Sequence, residues 1–273
     1  MGRFGSAQRP TQEGTAGRRG SWGRGEKTSR VIYVLRQWEN GSISGPKWHL
    51  ERNNVPYQII EAHTSPQYPD LKKGDAIIGL GGPPSVVTLH EPDYEHEFLL
   101  YEAGFLGYAA LQEIPFLGIC LSHQLRAKME SNPVESRTYE FGLQTIELTK
   151  EGRAHWLFEG LPPALTVYQH HRDHVTTVNS GAFLLAASAN CSVESVAWDD
   201  CSASVQCHPE VLISDIPDAL TKYPKSLAAT GLTVDEMLAR LQPNYVELMI
   251  RFFDNFLIRA GCLKPRRTAV LFE

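Results

Sequence analysis

The sequence predicts an α/β protein with a mostly parallel central sheet, helices on both faces and a small antiparallel β extension. Two observations carry this prediction. Strand-like apolar runs alternate with helical patterns over residues 31–130, which is typical of a parallel sheet covered by helices. Short alternating runs separated by turns then follow, and that pattern is typical of antiparallel strands. We expect these later strands to be attached to the same sheet.

The predicted elements divide into three groups. The parallel group has strands at 31–35, 57–60, 75–80 and 114–119, with helices at 46–52, 94–112 and 124–130. The antiparallel group has short strands at 144–148, 165–168, 176–178, 183–186 and 195–198. The last group, 216–261, is predicted to be helical in two pieces, with Thr233 as an N-cap before two acidic residues.

The organisation predicted is a single catalytic domain over residues 31–262. Residues 1–30 are rich in Gly, Arg and Ser and have no hydrophobic periodicity, so we expect a disordered N-terminal tail there. Residues 263–273 are expected to form a C-terminal tail. No internal repeat and no second hydrophobic core is evident in the pattern.

Composition limits the partners and the compartment. The chain is 42% hydrophobic and 21% charged with a formal charge of −5, which gives no electrostatic reason to expect nucleic acid or an anionic membrane as partner. No apolar run approaches the roughly 18 residues that cross a bilayer. Five cysteines without a C-x-x-C pair argue against a disulfide framework and favour a reducing cytoplasm.

Cys120 is the candidate nucleophile. An apolar strand-like run ends at Gly118, Cys120 comes two residues later, and a helical pattern follows. A residue on such a strand-to-helix turn is held at the edge of the sheet, and the N–H groups at the start of the helix favour negative charge beside it. Both effects favour the thiolate, the reactive form of cysteine.

His208 is the candidate base. A strand-like run ends at this residue, Pro209 keeps the backbone extended, and Glu210 is placed to fix the tautomer of the imidazole. The glycine pair Gly81-Gly82 also follows a predicted strand. Because ligands of parallel sheets bind beyond the carboxyl ends of the strands, we expect the glycine loop, the cysteine and the histidine to share one site.

Neither a metal nor a cofactor is expected. His170 and His174 have the spacing of two ligands on one helix, but the residues around them have the pattern of strand and turn. No carboxylate or cysteine completes a ligand set with them. The sequence also contains no G-x-x-x-x-G-K phosphate-binding loop.

Four motifs, in order, resemble those of the class I (triad) glutamine amidotransferases, particularly the glutaminase part of GMP synthetase and its stand-alone relatives. They are G-x-C-x-G-x-Q at 118–124, H-P-E at 208–210, G-G-P-x-S-V at 81–86 and H-x-D-x-V at 171–175. The resemblance covers roughly residues 31–260 and implies a flavodoxin-like sheet. The sequence departs from it at Ser122, where the family has glycine, and at 130–133, where the family has a Gly-Gly pair.

The resemblance implies a role for each matching residue. Cys120 would attack the δ-carbonyl of a γ-glutamyl amide, His208 would transfer the proton to the leaving nitrogen, and Glu210 would orient His208. The backbone N–H groups of Gly82 and Leu121 are the candidates for the oxyanion hole. The residues assigned to the substrate side of the site are Gly81, Ser85, Gln124, His171 and Asp173, the last two also bracing the sheet by hydrogen bonds.

Three functions are compatible with the sequence. The first is hydrolysis of glutamine to glutamate and ammonia through a glutamyl thioester, with the ammonia used by a synthetase on a separate chain. The alternative is a stand-alone hydrolase of γ-glutamyl peptides or γ-glutamylated amines. The third is a catalytically silent binding or regulatory protein on the same fold, against which the intact Cys120, His208 and Glu210 argue.

Overall fold

The computed structural model describes residues 30–265, in which one nine-stranded sheet organises the chain. The tails predicted over 1–30 and 263–273 lie almost entirely outside the described residues. The strands follow the order β2-β1-β3-β4-β9-β8-β7-β5-β6 across the sheet. Their bounds are β1 Ile32–Arg36, β2 Tyr57–Glu61, β3 Ala76–Gly79, β4 Phe116–Ile119, β5 Val134–Leu148, β6 Ala164–Val175, β7 Phe183–Ala187, β8 Ser195–Ala197 and β9 Ser202–Val205.

In this described part of the chain, eight α-helices accompany the sheet, together with two short 3-10 turns at Ala62–Thr64 and Trp156–Phe158. The helices are α1 Ser44–Arg52, α2 Phe98–Leu111, α3 Leu121–Met129, α4 Lys150–Ala154, α5 Ile216–Thr221, α6 Pro224–Ala229, α7 Val234–Leu238 and α8 Tyr245–Arg259. Within residues 30–265, no helix has the length and apolar character required to cross a bilayer.

The sheet has a parallel half and an antiparallel half that meet at β9. β1 pairs in parallel with β2 and β3, β3 with β4, and β4 with β9. β9 pairs antiparallel with β8, and the remaining pairs, β8–β7, β7–β5 and β5–β6, are also antiparallel. This arrangement confirms the predicted fold class, including the antiparallel extension.

Side chains of β1 alternate between two hydrophobic layers, as the two-residue period of a strand requires. Ile32 and Val34 belong to the layer that α1 and α8 cover, whereas Tyr33 and Leu35 belong to the layer that α2 and α3 cover. Strands buried on both faces are expected of parallel sheets, and the helices lie on both faces as predicted.

The structure differs from the predicted elements in several places. β5 and β6 are long strands of 15 and 12 residues, and residues 176–178 lie beyond β6 instead of forming a strand. Much of the first part of β5 is exposed, so the apolar alternation that signals a strand is missing there. The region 216–261 contains four helices, since prolines in the first turns of α5 and α6 start new helices. β9 ends three residues before His208.

The predicted N-cap at Thr233 is confirmed. Its hydroxyl accepts a hydrogen bond from the N–H of Glu236, and the Glu236 carboxylate accepts one from the N–H of Thr233. This reciprocal capping box satisfies two backbone donors that the helix itself leaves free.

Candidate active site

The strand order brings three distant segments to one edge of the sheet. β3, β4 and β9 are neighbours and run parallel, so their carboxyl ends lie side by side. Gly81 and Gly82 follow β3, Cys120 follows β4, and His208 follows β9. Over eighty residues separate Cys120 from His208 in the sequence, but the pairing of β4 with β9 brings the two residues to the same edge of the sheet.

Cys120 occupies the sharp turn between β4 and α3 in a strained backbone conformation. Its φ is 51° and its ψ is −103°, a positive φ that residues with a Cβ adopt rarely and at a cost of about 1–3 kcal/mol. The N–H of Cys120 donates to the Val205 carbonyl at 2.9 Å, and the side-chain amide of Gln206 lies 3.7 Å from Sγ. Both contacts tie the turn to β9, the strand that leads to His208.

His208 is held from two sides. Its backbone N–H donates to the carbonyl of Tyr168 at 2.8 Å, and its Nδ1 lies 2.7 Å from Oε1 of Glu210. Burial alone would lower the pKa of His208, but the Glu210 carboxylate and the Cys120 sulfur raise this pKa well above its ordinary value. The site therefore favours the imidazolium form of His208.

Gly81 lies between the cysteine and the histidine. A Cβ on this residue would be 2.8 Å from Cε1 of His208, 3.1 Å from Cβ of Cys120 and 3.6 Å from its Sγ. The sulfur and the imidazole therefore border the same small space. Only a glycine at position 81 leaves that space open.

The two residues that carry the candidate oxyanion donors pack closely together. A Cβ on Gly82 would lie 3.1 Å from Cδ2 of Leu121, so the glycine loop passes directly over the start of α3. Leu121 is the first residue of that helix, and its N–H therefore has no acceptor within the helix. Their assignment to an oxyanion hole stays a prediction.

A cleft of about 510 Å³ opens above this group. Gly81, Gly82, Cys120, His208 and Glu210 contribute to its lining. Sequence reasoning missed the rest of the wall, which comes from the segment after β1, from β6 and from the region of α5. The missed lining residues include Arg36, Trp38, Ser42, Tyr168, His170, Asp215, Asp218, Lys222 and Tyr223. Trp38 was detectable, because it lies two residues beyond the end of β1, at the same edge of the sheet.

Ser122, the departure from the family motif, belongs to a buried polar group below the turn. Its hydroxyl accepts a hydrogen bond from Gln37 at 2.7 Å and donates to the Leu80 carbonyl at 3.1 Å. Gln37 also donates to Glu102, whose pKa burial raises to about 8 while the hydrogen bonds from Gln37 and Ser122 oppose the rise. The serine side chain thus connects the glycine loop to α2 and α3.

The second departure, at 130–133, forms a closed turn. Ser131 adopts the left-handed conformation, with φ of 58°, that a glycine would adopt easily. The N–H of Asn132 donates to the Ala127 carbonyl at 2.8 Å, and its side-chain oxygen accepts from the N–H of Asn179 at 2.6 Å. The loop is therefore ordered without the Gly-Gly pair.

Four residues assigned to the substrate side lie together, but they do not line the cleft. Asp173 accepts hydrogen bonds from the hydroxyls of Ser85 and Ser136, and its backbone carbonyl accepts from Nε2 of Gln124 at 2.8 Å. His171 places Nδ1 3.3 Å from the same carbonyl. The bracing predicted for His171 and Asp173 is observed, while a direct substrate contact of these residues and of Ser85 and Gln124 stays a prediction.

Among residues 30–265, one group of three potential metal ligands occurs, and it lies outside the cleft. It consists of Glu140, His171 and His174. Asp173 is the carboxylate nearest to the histidines in the sequence, but the carboxylate that joins them in space is that of Glu140, which β5 places opposite His171 in the sheet. His170, the other histidine of the predicted pair, instead lines the cleft.

Comparison with known proteins agrees with this architecture. The family model described as glutamine amidotransferase class-I matches residues 47–221. A relative from Thermococcus kodakarensis, named as one subunit of the glutamine-hydrolysing GMP synthase, is 40% identical over 188 residues, covering 66% of this chain and 84% of the relative. Its counterpart from Sulfolobus acidocaldarius is 35% identical over 169 residues, covering 60% and 83%.

The same fold occurs in a solved structure. The crystal structure of a glutamine amidotransferase from Thermotoga maritima matches with a TM-score of 0.72 at 18% identity, over 85% of this chain and 98% of that chain. This likeness confirms the fold that the motifs implied. Because the family model covers more than half of the sequence and the Thermococcus relative is matched over most of its length, this chain belongs to the class-I glutamine amidotransferase family.

Proposed function

We propose that this protein hydrolyses the side-chain amide of glutamine by covalent catalysis at Cys120 and supplies the ammonia to a partner synthetase chain. The observation that carries the proposal is the position of Gly81, against which both Sγ of Cys120 and the ring of His208 lie. Glu210 fixes that ring at 2.7 Å. A nucleophile, a base and an orienting carboxylate in this relation form a catalytic triad.

The chemistry proceeds in two stages. The Cys120 thiolate attacks the δ-carbonyl carbon, and the carbon–nitrogen bond breaks as the protonated His208 gives its proton to the leaving nitrogen. Ammonia leaves and a γ-glutamyl thioester remains. Water then attacks the thioester while His208 accepts its proton, which releases glutamate and restores the thiolate with its imidazolium partner.

Negative charge develops on the carbonyl oxygen in both stages. The N–H groups of Gly82 and Leu121 are proposed to donate to it, and the start of α3 adds a favourable dipole. Fixed donors of this kind are worth about 3 kcal/mol each in other enzymes. Glutamine would be held in the cleft next to Gly81.

The proposed partner follows from the relatives. The Thermococcus and Sulfolobus proteins are each named as one subunit of a glutamine-hydrolysing GMP synthase, and such a name implies a second chain. We propose that a synthetase chain covers the cleft and receives the ammonia.

One assay tests this proposal. The purified full chain is incubated with glutamine, alone and with a cognate synthetase chain, and glutamate release is measured. We expect release that increases in the presence of the synthetase and disappears in Cys120→Ala. Cys207→Ala, a buried cysteine beside His208, is the matched control and should keep substantial activity. Release that survives in Cys120→Ala would refute the assignment of the nucleophile.

A second candidate function is favoured by the size of the cleft. About 510 Å³ is in the range of sites for ligands well beyond a free amino acid. A stand-alone hydrolase of γ-glutamyl peptides or γ-glutamylated amines would use such space for the leaving amine. Turnover of these amides without any partner, faster than turnover of glutamine, would favour this candidate.

Chemical labelling distinguishes these enzymes from the third candidate, a catalytically silent binding protein on the same fold. An electrophilic glutamine analogue should alkylate Cys120 under native conditions, and mass spectrometry of the digested protein locates the adduct. Failure to label Cys120, with labelling of the denatured chain intact, would favour the silent protein.

A further inference from the structure

We propose that Glu140, His171 and His174 form a buried binding site for a divalent transition-metal ion, with zinc as the best match. The site lies between β5 and β6, apart from the cleft. It requires no catalytic role and does not depend on the proposed function.

The three side chains converge. One ligand atom from each lies within 4.8 Å of the ligand atoms of the other two, and the two imidazole rings are 4.6 Å apart between centroids. Glu140 and His171 are opposite each other in the β5–β6 pairing, next to the register shift between Ser136 and Glu140. Glu140 is 3% exposed, His171 4% and His174 2%.

Hydrogen bonds set both imidazoles in the form that binds metal. Nδ1 of His171 lies 3.3 Å from the carbonyl oxygen of Asp173, and Nε2 of His174 lies 3.1 Å from that of Thr138. A carbonyl only accepts hydrogen bonds, so each of these nitrogens carries its proton. The opposite nitrogen of each neutral ring then has a free lone pair, which is the arrangement common among metal-binding histidines.

Three of the remaining polar atoms of the cluster lack hydrogen-bond partners in the described part of the chain. Among the described residues, the two carboxylate oxygens of Glu140 and Nε2 of His171 have no hydrogen-bond partner. Buried polar atoms without partners are rare and costly. A cation between them would satisfy all three atoms at once.

The donor set identifies the kind of ion. Two imidazole nitrogens and one carboxylate suit zinc and other late first-row metals, whereas calcium and magnesium prefer oxygen ligands. Zinc with three protein ligands takes water as the fourth. The bound ion would tie β5 to β6 at the register shift, close to Asp173, whose carbonyl accepts from Gln124.

The test measures metal binding directly in the full chain. Cys120→Ala is the background, because Cys120 and His208 together offer zinc a competing thiolate and imidazole. Zinc per chain is measured by elemental analysis after dialysis, and Co²⁺ titration is followed through its visible absorption. We expect stoichiometric binding that Glu140→Gln and His174→Gln each weaken at least about tenfold, the lower bound of losses seen when metal-site partners are removed.

The matched control is His90→Gln, since His90 is an exposed histidine outside the cluster; it should bind as the background does. Circular dichroism checks the fold of each variant. If a variant does not fold, X-ray absorption of the zinc-loaded background decides, with imidazole and oxygen ligands expected and no sulfur. Absence of stoichiometric binding in the background, or unchanged binding in the folded variants, would overturn the proposal.

Discussion

Nδ1 of His208 lies 2.7 Å from Oε1 of Glu210, and only Pro209 separates the two residues in the chain. The proline ring restricts the backbone between them, and Glu210 is further located by Gly45, where a Cβ would overlap the Glu210 carbonyl. The relation of His208 to Glu210, two members of the proposed triad, therefore depends on the short sequence between them and on the close packing of Glu210 against Gly45. The position of His208 relative to Cys120, by contrast, depends on the pairing of β4 with β9.

Replacing the orienting carboxylate should reduce turnover strongly. In Glu210→Gln the imidazole loses the charge that stabilises its protonated form, and we expect kcat for glutamine hydrolysis to fall about 100-fold or more. Steady-state kinetics with the purified chain measure this. Glu91→Gln, an exposed glutamate, is the control and should leave kcat unchanged. A loss below about threefold would contradict the proposed role of Glu210.

The same pair should make stability depend on pH. Glu210 and Cys120 raise the pKa of His208 in the folded protein. The stabilisation of the folded state that results is complete below the unfolded pKa of about 6.5. It is lost as the pH rises through the folded pKa. We expect the free energy of unfolding of the wild type to exceed that of Glu210→Gln by more at about pH 6 than at about pH 9. Urea denaturation at both pH values measures the difference. A gap that widens with increasing pH would contradict this account.

Gly81→Ala should impair catalysis more than folding. The new Cβ would lie 2.8 Å from Cε1 of His208 and 3.1 Å from Cβ of Cys120, so the two reacting groups must separate. A displacement of about 1 Å can cost on the order of 100-fold in rate, and we expect a loss of that size in kcat. Gly104→Ala, where a Cβ meets nothing within 4 Å, is the control. Comparable losses in both variants would show that the Gly81 effect is not local.

Gly79 and Ser122 should be coupled energetically. A Cβ at Gly79 would overlap the hydroxyl of Ser122, so Gly79→Ala should lower the free energy of unfolding by about 1–3 kcal/mol, as overpacking does. Ser122→Gly removes the obstacle, and the double variant should recover part of that loss. A double-mutant cycle by chemical denaturation measures the coupling. Strict additivity would mean that the two positions do not compete for space.

The local sequence pattern was sufficient to predict much of the fold and the residues at the centre of the candidate site. A strand end is indicated by each of three features: the apolar run before Cys120, the glycines at 81–82 and the turn at His208. Since all carboxyl ends of parallel strands face one edge of the sheet, their meeting is predictable from the sequence alone. The burial of β1 on both faces agrees with the prediction that helices cover both faces of the sheet.

Other features have no local signal. The wall formed by Asp218 and Tyr223 depends on where the region of α5 and α6 packs. The first part of β5 is mostly exposed and lacks the apolar alternation of a strand. The sequence therefore does not indicate that Glu140 lies opposite His171.

The sequence by itself determined which residues stand at strand ends and what chemistry they carry, because backbone conformation and hydrophobic period depend on near neighbours. The tertiary structure alone decided the shape of the cleft, the buried partners of Ser122 and the convergence of Glu140 with two histidines. Those contacts join residues far apart in the chain, and only the order and register of the strands sets them.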